Sequence, residues 1–556
     1  MAVIEQLVKG KGLDPETREM VFETLKEYAG RNLTQKVLAE LDEKNEFPAE
    51  IMKDLYDEEK VGIHLMLLPE QYGGLGGNTY DIARACEVLA GIDLGVATSV
   101  FATFLGLDPI MVGGTQEQKD KWLTKAAKEG LLVAYGATEA DAGSDLLHLA
   151  TRAERVMDGE TIKGYKITGS KMWITNGGVA GLYTILAKTK KGVSWFIVEK
   201  GTEGLVADKH EDKHGIRISN TTPLSLNEVF VPVENLVGGE EGKGMRQAQA
   251  VFGYTRLMVA SLALGTGWES VKHAIRYSQM RKVRGGLLKE MQGYNHKFIV
   301  GFAARLEACR AFIEECAARL DGGEAGLQVE GAIAKYLTTE TANLAADAAI
   351  QSLGGNGYSK EFPVERLKRD IKITCIYEGT SEILQMTTYG KRWLENVNGE
   401  LTVYDKLAEE MDALHAKDAQ VGADAAAVAC RALSKTLKSC YDQKITTENQ
   451  AVTFKLGELF AWAEVALAFS RAAAKDKYSE GVAFDRETWR AMARIYARQA
   501  ASHIASEGIK LVCGYGDAPD FARTMELEKL SAVLKGDRAD MDLVAGKLVE
   551  VYKAEE

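Results

Sequence analysis

Proline is scarce, with 8 residues in a chain of 556, while alanine, leucine, glutamate and lysine are plentiful; this balance favours helix. Cysteine is limited to 7, an odd number with no C-x-x-C pair, which excludes a disulfide framework and points to a reduced, intracellular protein. Cys309 and Cys316 lie two helical turns apart and are expected on one core face. Positive charge is in deficit: the formal net charge is −12, which argues against a nucleic-acid partner and against a broadly basic membrane patch. The N-terminus MAVIEQLVKGKG lacks a long apolar stretch and a cleavage site, and no window reads as apolar enough to span a bilayer. A G-x-G-x-x-G phosphate loop is absent; Gly73-Gly74-Leu75-Gly76-Gly77 reads instead as a structural loop. At this length three or four domains are expected.

What is present sorts into four parts: an N-terminal α-helical domain (1–132), a middle β domain (133–240), a four-helix bundle (241–398) and a helical C-terminal extension (399–556). Asp14-Pro15-Glu16 begins a helix, with Asp14 as cap and Pro15 at the first helical position, followed by a stripe of Val21, Leu25 and Tyr28. Further helices are expected from about Gln35, capped by Thr34, and from about Asp81 and Gln116. Short β-branched or aromatic runs follow at Tyr165–Gly169, Leu182–Leu186 and Trp195–Val198, with turns at Asp158-Gly159 and Lys191-Gly192. Helix formers return near Gly244, and Asn396-Val397-Asn398-Gly399 breaks the run. Beyond it, Leu456, Leu459, Phe460, Ala463 and Leu467 keep helical spacing, and Trp489, Met492 and Tyr496 form a second apolar face. The fold class is α+β, mainly α.

One stretch carries chemistry. In Ile376-Tyr377-Glu378-Gly379-Thr380-Ser381-Glu382-Ile383, Thr380 or Ser381 can cap the next helix, and Gly379 permits a sharp turn or the close approach of a ligand. Glu378, taken alone, reads as an acidic residue at a helix start. Three other strings accompany it: YGATEADAGSD at Tyr135–Asp145, KMWITNG at Lys171–Gly177 and QSLGGNGY at Gln351–Tyr358. Together and in this order they resemble the acyl-CoA dehydrogenase family, from about residue 10 to about residue 398, and the tail resembles the helical C-terminal extension carried by a subset of that family.

The resemblance implies a middle β-barrel-like domain and α,β-dehydrogenation of an acyl-CoA thioester to the trans-2-enoyl product. Such chemistry needs a base for the α-proton, donors that polarise the carbonyl and an acceptor that no side chain supplies, here FAD. It implies Glu378 as the base, its pKa raised by an apolar pocket, with hydride passing to flavin N5 and electron-transfer flavoprotein as the onward acceptor. The alternative base position on a bundle helix is Thr255, which cannot serve. Tyr135, Ala137, Thr138, Trp173 and Thr175 are the implied contacts of the flavin ring; Trp173 alone would read as core. Ser144 is implied near the phosphates and pantetheine, and Thr380 and Glu382 against FAD. Gln351, Gly354, Gly355 and Gly357, with Arg281 and Gln292, are implied to reach a neighbouring subunit's cofactor, hence a homodimer or homotetramer. Ser144, Arg256 and Gly379 are the implied substrate contacts.

Departures are Gly253, where an acidic or polar residue is usual, and Arg284, for which solvent is the default partner. Phe101 and Phe104 are implied at the floor of the acyl pocket and suit a short or compact acyl group; the arginine of glutaryl-CoA members is not evident around Gly95. Two alternatives stand beside this reading, an acyl-CoA oxidase using O2 and a flavin-bearing interaction or assembly protein. His210-Glu211-Asp212-Lys213-His214 fits a zinc pattern only on a helix; in a β domain it reads as a polar loop, so no metal is expected. The protein is expected to be cytoplasmic.

Overall fold

In a computed structural model, residues 10–446, 449–475 and 484–554 are described. The N-terminal reading falls largely on residues 1–9, outside that range. The chain forms two compact units, one of residues 1–265 with 317–328 and the other of residues 266–316 with 329–556.

The first unit opens with six helices: α1 (Pro15–Asn32), α2 (Gln35–Lys44), α3 (Ala49–Leu55), α4 (Thr79–Ile92), α5 (Leu94–Gly113) and α6 (Gln116–Glu129). Their starts follow capping chemistry. Asp14 accepts the Thr17 N–H at 2.9 Å ahead of Pro15, and Thr34 accepts Val37. Asn78 with Asp81, and Thr115 with Gln118, form reciprocal capping boxes. The buried stripe of α1 is Phe22, Leu25 and Ala29, with Val21 and Tyr28 half-buried on its flanks, so the face is turned by about one residue from the expected one. One expectation is corrected. Leu94–Gly113 is long and apolar enough to cross a bilayer, but every part of its apolar window is buried, as befits the core helix of a folded unit. The glycine loop is structural: a β-carbon at Gly74 would meet the Leu68 carbonyl at 1.9 Å.

A seven-stranded half-barrel sheet follows: β1 (Val133–Gly136), β2 (Arg152–Asp158), β3 (Thr161–Thr175), β4 (Leu182–Thr189), β5 (Gly192–Glu199), β6 (Leu205–Ala207) and β7 (Thr221–Pro232). The strand order is β1-β4-β2-β3-β7-β6, with β5 on β4; β1 and β4 run parallel, and the long β3–β7 pair is antiparallel. Its core is Tyr165, Ile167, Tyr183, Ile185, Phe196, Leu224 and their neighbours.

Helices then resume with α7 (Gly244–Met280), a hairpin of β8 (Lys282–Val283) and β9 (Gly286–Leu287), α8 (Gln292–Asn295), α9 (Gly301–Asp321), α10 (Gln328–Leu353), α11 (Val364–Ile371) and α12 (Ser381–Asn398). Gly399 ends α12, as the sequence breaker requires. The tail adds α13 (Val403–Lys417), α14 (Ala423–Asp442), α15 (Gln450–Ala474), α16 (Arg486–Tyr515), α17 (Leu527–Val533) and α18 (Asp537–Val551). Leu456, Leu459, Phe460, Ala463 and Leu467 on α15, and Trp489, Met492 and Tyr496 on α16, are buried as their spacing predicts. Within the second unit α15 packs on α12 so closely that a β-carbon at Gly457 would lie 2.2 Å from the Gln385 carbonyl oxygen. Arg392 of α12 donates to Glu464 of α15 at 2.7 Å and to Glu330 of α10 at 2.9 Å, and Tyr404 donates to Glu464 at 2.8 Å. The seam is therefore both apolar and charge-paired.

Candidate active site

In the first unit two of the sequence strings meet. The strand end Tyr135-Gly136-Ala137-Thr138 runs beside the end of β3, where the Met172 N–H donates to the Thr138 carbonyl at 2.9 Å. The β3–β7 register shifts between Lys171 and Ile174, and Trp173 sits in that irregularity with φ of 60°. A bulky residue in the left-handed region is costly, so the surrounding register imposes it. The result is an indole 55% exposed, with Thr175 half-buried two residues on. The Tyr135 ring packs on Trp195 with centroids 4.6 Å apart, Ala137 is buried, and Ser144 lies on an exposed loop.

Two residues inside these strings that carried no expected role hold the arrangement together. Lys171, fully buried, donates to Glu139 at 2.7 Å and to the Ala137 carbonyl at 3.1 Å. Glu139 also accepts the N–H groups of Ala150 at 2.6 Å and Thr151 at 3.1 Å. Burial pushes the Lys171 ammonium down to about 8 against the pull of Glu139. Burial would raise the Glu139 carboxyl, but Lys171 and the two N–H donors hold it below its ordinary value. Asn176 is a third tie: buried, with φ of 62°, it donates to the Ser99 carbonyl at 2.9 Å and so joins α5 to the sheet. The signal available in the sequence was membership of the two strings.

The same unit holds the expected CoA-side residues. Arg256 donates to the Gln328 carbonyl at 3.4 Å and lies 5.3 Å from the Phe252 ring; Thr255 is buried. Gly253 has a packing reason: a β-carbon there would stand 2.9 Å from the Leu327 backbone. Phe101 and Phe104 are both buried, and Phe104 meets Tyr254 edge-on at 5.3 Å. At Gly95 a β-carbon would lie 2.7 Å from the Ile218 side chain, which would have to shift to admit one. The His210–His214 segment is a loop; Lys213 and Asn220 lie 3.2 and 3.3 Å from the two His210 ring nitrogens.

The second unit carries the acidic turn. Glu378 has φ of 55° and Gly379 φ of 98°, two consecutive left-handed residues directly before α12. Thr380 is the cap, accepting the Ile383 N–H at 3.4 Å. Glu378, Gly379 and Thr380 are half-buried and Glu382 is exposed. Helix α10 grips this turn. Lys335 donates to the Gly379 carbonyl at 2.6 Å, Ser381 donates to Glu340, and Gln385 donates to the Tyr336 hydroxyl at 3.0 Å. A cleft of about 680 Å³ lies beside it, lined among others by Glu340, Ser381, Glu382 and Gln385, and by Arg305 and Trp462.

The Gln351–Gly357 loop is a separate place in this unit. Gln351 lies in the last turn of α10, sixteen residues and thus about 24 Å along the helix from Lys335, and Gly354–Gly357 follow the helix end. Gln351, Gly354 and Gly355 are exposed, and β-carbons at Gly354 and Gly355 would meet nothing within 4 Å. Gly357 is different, for a β-carbon there would meet the Ile350 carbonyl oxygen at 2.3 Å. Asn356 donates to Tyr277 at 3.1 Å, tying the loop to the end of α7, from which Arg281 projects, exposed. Arg284 is exposed at the tip of the β8–β9 hairpin with φ of 52°. The Gln292 amide donates to both oxygens of Asp542 on α18, at 2.7 and 3.0 Å, and His296 lies 2.8 Å from the same carboxylate. The tail thus reaches a residue expected to serve the cofactor.

These surfaces fit a flavin dinucleotide. A half-exposed indole beside bare main chain suits a flat aromatic ring system, and unencumbered glycine backbone suits a nucleotide. The order of parts and these surfaces suit a flavin-dependent oxidoreductase.

Comparison with known proteins narrows the class. The sequence matches "Acyl-CoA dehydrogenase, N-terminal domain" over residues 15–130, "middle domain" over 134–229 and "C-terminal domain" over 242–394. It is 36% identical over 379 residues to cyclohex-1-ene-1-carbonyl-CoA dehydrogenase of Geobacter metallireducens, covering 67% of this chain and 97% of that one. The solved butyryl-CoA dehydrogenase of Megasphaera elsdenii superposes with TM-score 0.64 at 35% identity, over 68% of this chain and 98% of that one. An acyl-CoA dehydrogenase complexed with FAD from Bacillus anthracis superposes with TM-score 0.81 over 98% of both chains; at 23% identity that likeness concerns the fold, tail included. The chain belongs to the acyl-CoA dehydrogenase family. It is an oxidoreductase acting on acyl-CoA, with FAD as its cofactor.

Proposed function

We propose that Glu378 is the general base that removes the α-proton of a bound acyl-CoA thioester. The observation that carries this reading is the pair of left-handed residues at 378 and 379. Backbone strain at a non-glycine residue persists only where the surrounding structure over-determines it and clusters at active sites, and here it sets a carboxylate at the mouth of a helix. The Glu378 N–H polarises the thioester carbonyl, which acidifies the α-carbon enough for a carboxylate to act. Bound FAD would supply the acceptor for the β-hydrogen and its electron pair, the chemistry that leaves a trans-2-enoyl thioester. Tyr135, Ala137, Thr138, Trp173 and Thr175 hold the flavin ring, with Thr380 and Glu382 against the cofactor. Ser144, Arg256 and Gly379 bind the CoA thioester.

The acyl group is short or compact. Buried Phe101 and Phe104 support this, as do the short-chain and cyclic substrates named for the relatives, and a glycine at 95 offers no cation there to grip a distal carboxylate. Gln351, Gly354, Gly355 and Gly357, with Arg281 and Gln292, serve the FAD of a neighbouring subunit. Their distance along α10 from the acidic turn supports a homodimer or homotetramer built around shared cofactors. The onward acceptor is electron-transfer flavoprotein, the location is cytoplasmic, and the four segments 1–132, 133–240, 241–398 and 399–556 act as its domains. A steady-state screen of acyl-CoA thioesters with a dye acceptor, with and without oxygen, tests substrate and acceptor together; stoichiometric peroxide without dye would favour an oxidase. Glu378→Gln is expected to retain FAD and lose at least about 100-fold in turnover. Full activity in that variant ends the assignment.

A further inference from the structure

Lys335 is a charge buried where a neutral donor could have served. Its residue is fully shielded on α10, and its ammonium donates at 2.6 Å to the carbonyl of Gly379, the residue after the proposed base. Burying an ammonium is unfavourable unless its partners compensate. The turn explains the need. Consecutive left-handed residues take the Gly379 carbonyl out of any helical ladder, so its acceptor must be met from another element. The next two side-chain contacts, Glu340 with Ser381 and Tyr336 with Gln385, hold α12 itself.

We propose that Lys335 is a positioning residue for the base: by clamping the Gly379 carbonyl it fixes the left-handed turn and so sets where the Glu378 carboxylate stands. This rests on the reading of Glu378 as base. An ammonium makes a short, strong bond to a carbonyl, and a displacement of about 1 Å at a proton-transferring group is enough to slow the transfer 100-fold. The role is distinct from binding, because Lys335 touches the turn and has no assigned contact with the thioester.

The test uses full-length holoenzyme, the dye acceptor, and butyryl-CoA with its α,α-dideuterated form (or the best thioester of the screen, similarly labelled). Lys335→Met is expected to keep its FAD per chain and a KM within about 3-fold, with kcat down at least about 10-fold. The α-deuterium isotope effect on kcat rises, because proton removal becomes more fully limiting. Lys335→Arg restores part of kcat. Should Lys335→Met fail to fold, Lys335→Leu, which likewise offers the carbonyl no donor, is read in the same way. A variant that melts earlier or loses FAD, yet keeps wild-type kcat per bound FAD and an unchanged isotope effect, overturns the positioning role. An active Glu378→Gln sinks the parent reading instead, so the two failures are distinguishable.

Discussion

Replacing Lys171 with methionine isolates the buried pair under the candidate flavin surface. Its ammonium is 2.7 Å from Glu139, and the two side chains are 0% and 7% exposed. At an effective dielectric constant of about 20 the attraction at that distance is about 6 kcal/mol before desolvation. Lys171→Met leaves the Glu139 carboxylate buried beside the Ala150 and Thr151 N–H groups. Removing one partner of such a pair costs about 3–5 kcal/mol, and the surviving N–H donors place this case near the lower figure. Thermal melting followed by tryptophan fluorescence is then expected to fall by roughly 6–12 °C. The pH sign follows from Glu139, whose carboxyl is held below its ordinary 4.5. Its contribution is present above that value and is lost as pH falls through the folded one, so the variant loses less of its remaining stability on acidification than the wild type. Pairing Lys171→Met with Glu139→Gln is expected to cost less than the two singles summed, by about 2 kcal/mol. Strict additivity, or a single-variant cost below about 1 kcal/mol, would refute an energetically coupled pair.

Trp173→Gly removes a half-exposed ring and relieves a left-handed backbone, so the melting temperature is expected to hold or rise, by up to about 1 kcal/mol equivalent, while FAD is lost more readily on dilution. Visible absorbance after gel filtration checks the second part. Gly253→Asp supplies the acid usual in the family but forces a β-carbon against the Leu327 backbone, 2.9 Å away. A cost of about 1–3 kcal/mol in urea unfolding is expected, with no gain in affinity for CoA.

Helix starts were legible because caps are local: Asp14-Pro15 and Thr34 announce α1 and α2 within four residues. Helix α5 was not, since a helix buried on all sides shows no period, and Pro109 inside it reads as a breaker. The site was legible through its strings, yet their physics was not. Nothing in the residue types of Trp173 or Glu378 announces a positive φ; strand register and turn packing impose it. The absence of an acid at Gly253 was visible, while its cause, the Leu327 backbone, lies 74 residues away in sequence. Lys335 and Gly379 are separated by 44 residues, and no local pattern links them.

The contact of Gly457 with the Gln385 carbonyl has a consequence for anyone who would shorten this enzyme. A helix that comes near enough to exclude a single carbon has become part of the wall it leans on. Cutting the chain at Gly399 would not recreate a compact ancestor. It would bare an arginine cut off from Glu464, a glutamine released by Asp542, and a greasy flank with no cover, and such a fragment is expected to aggregate on expression.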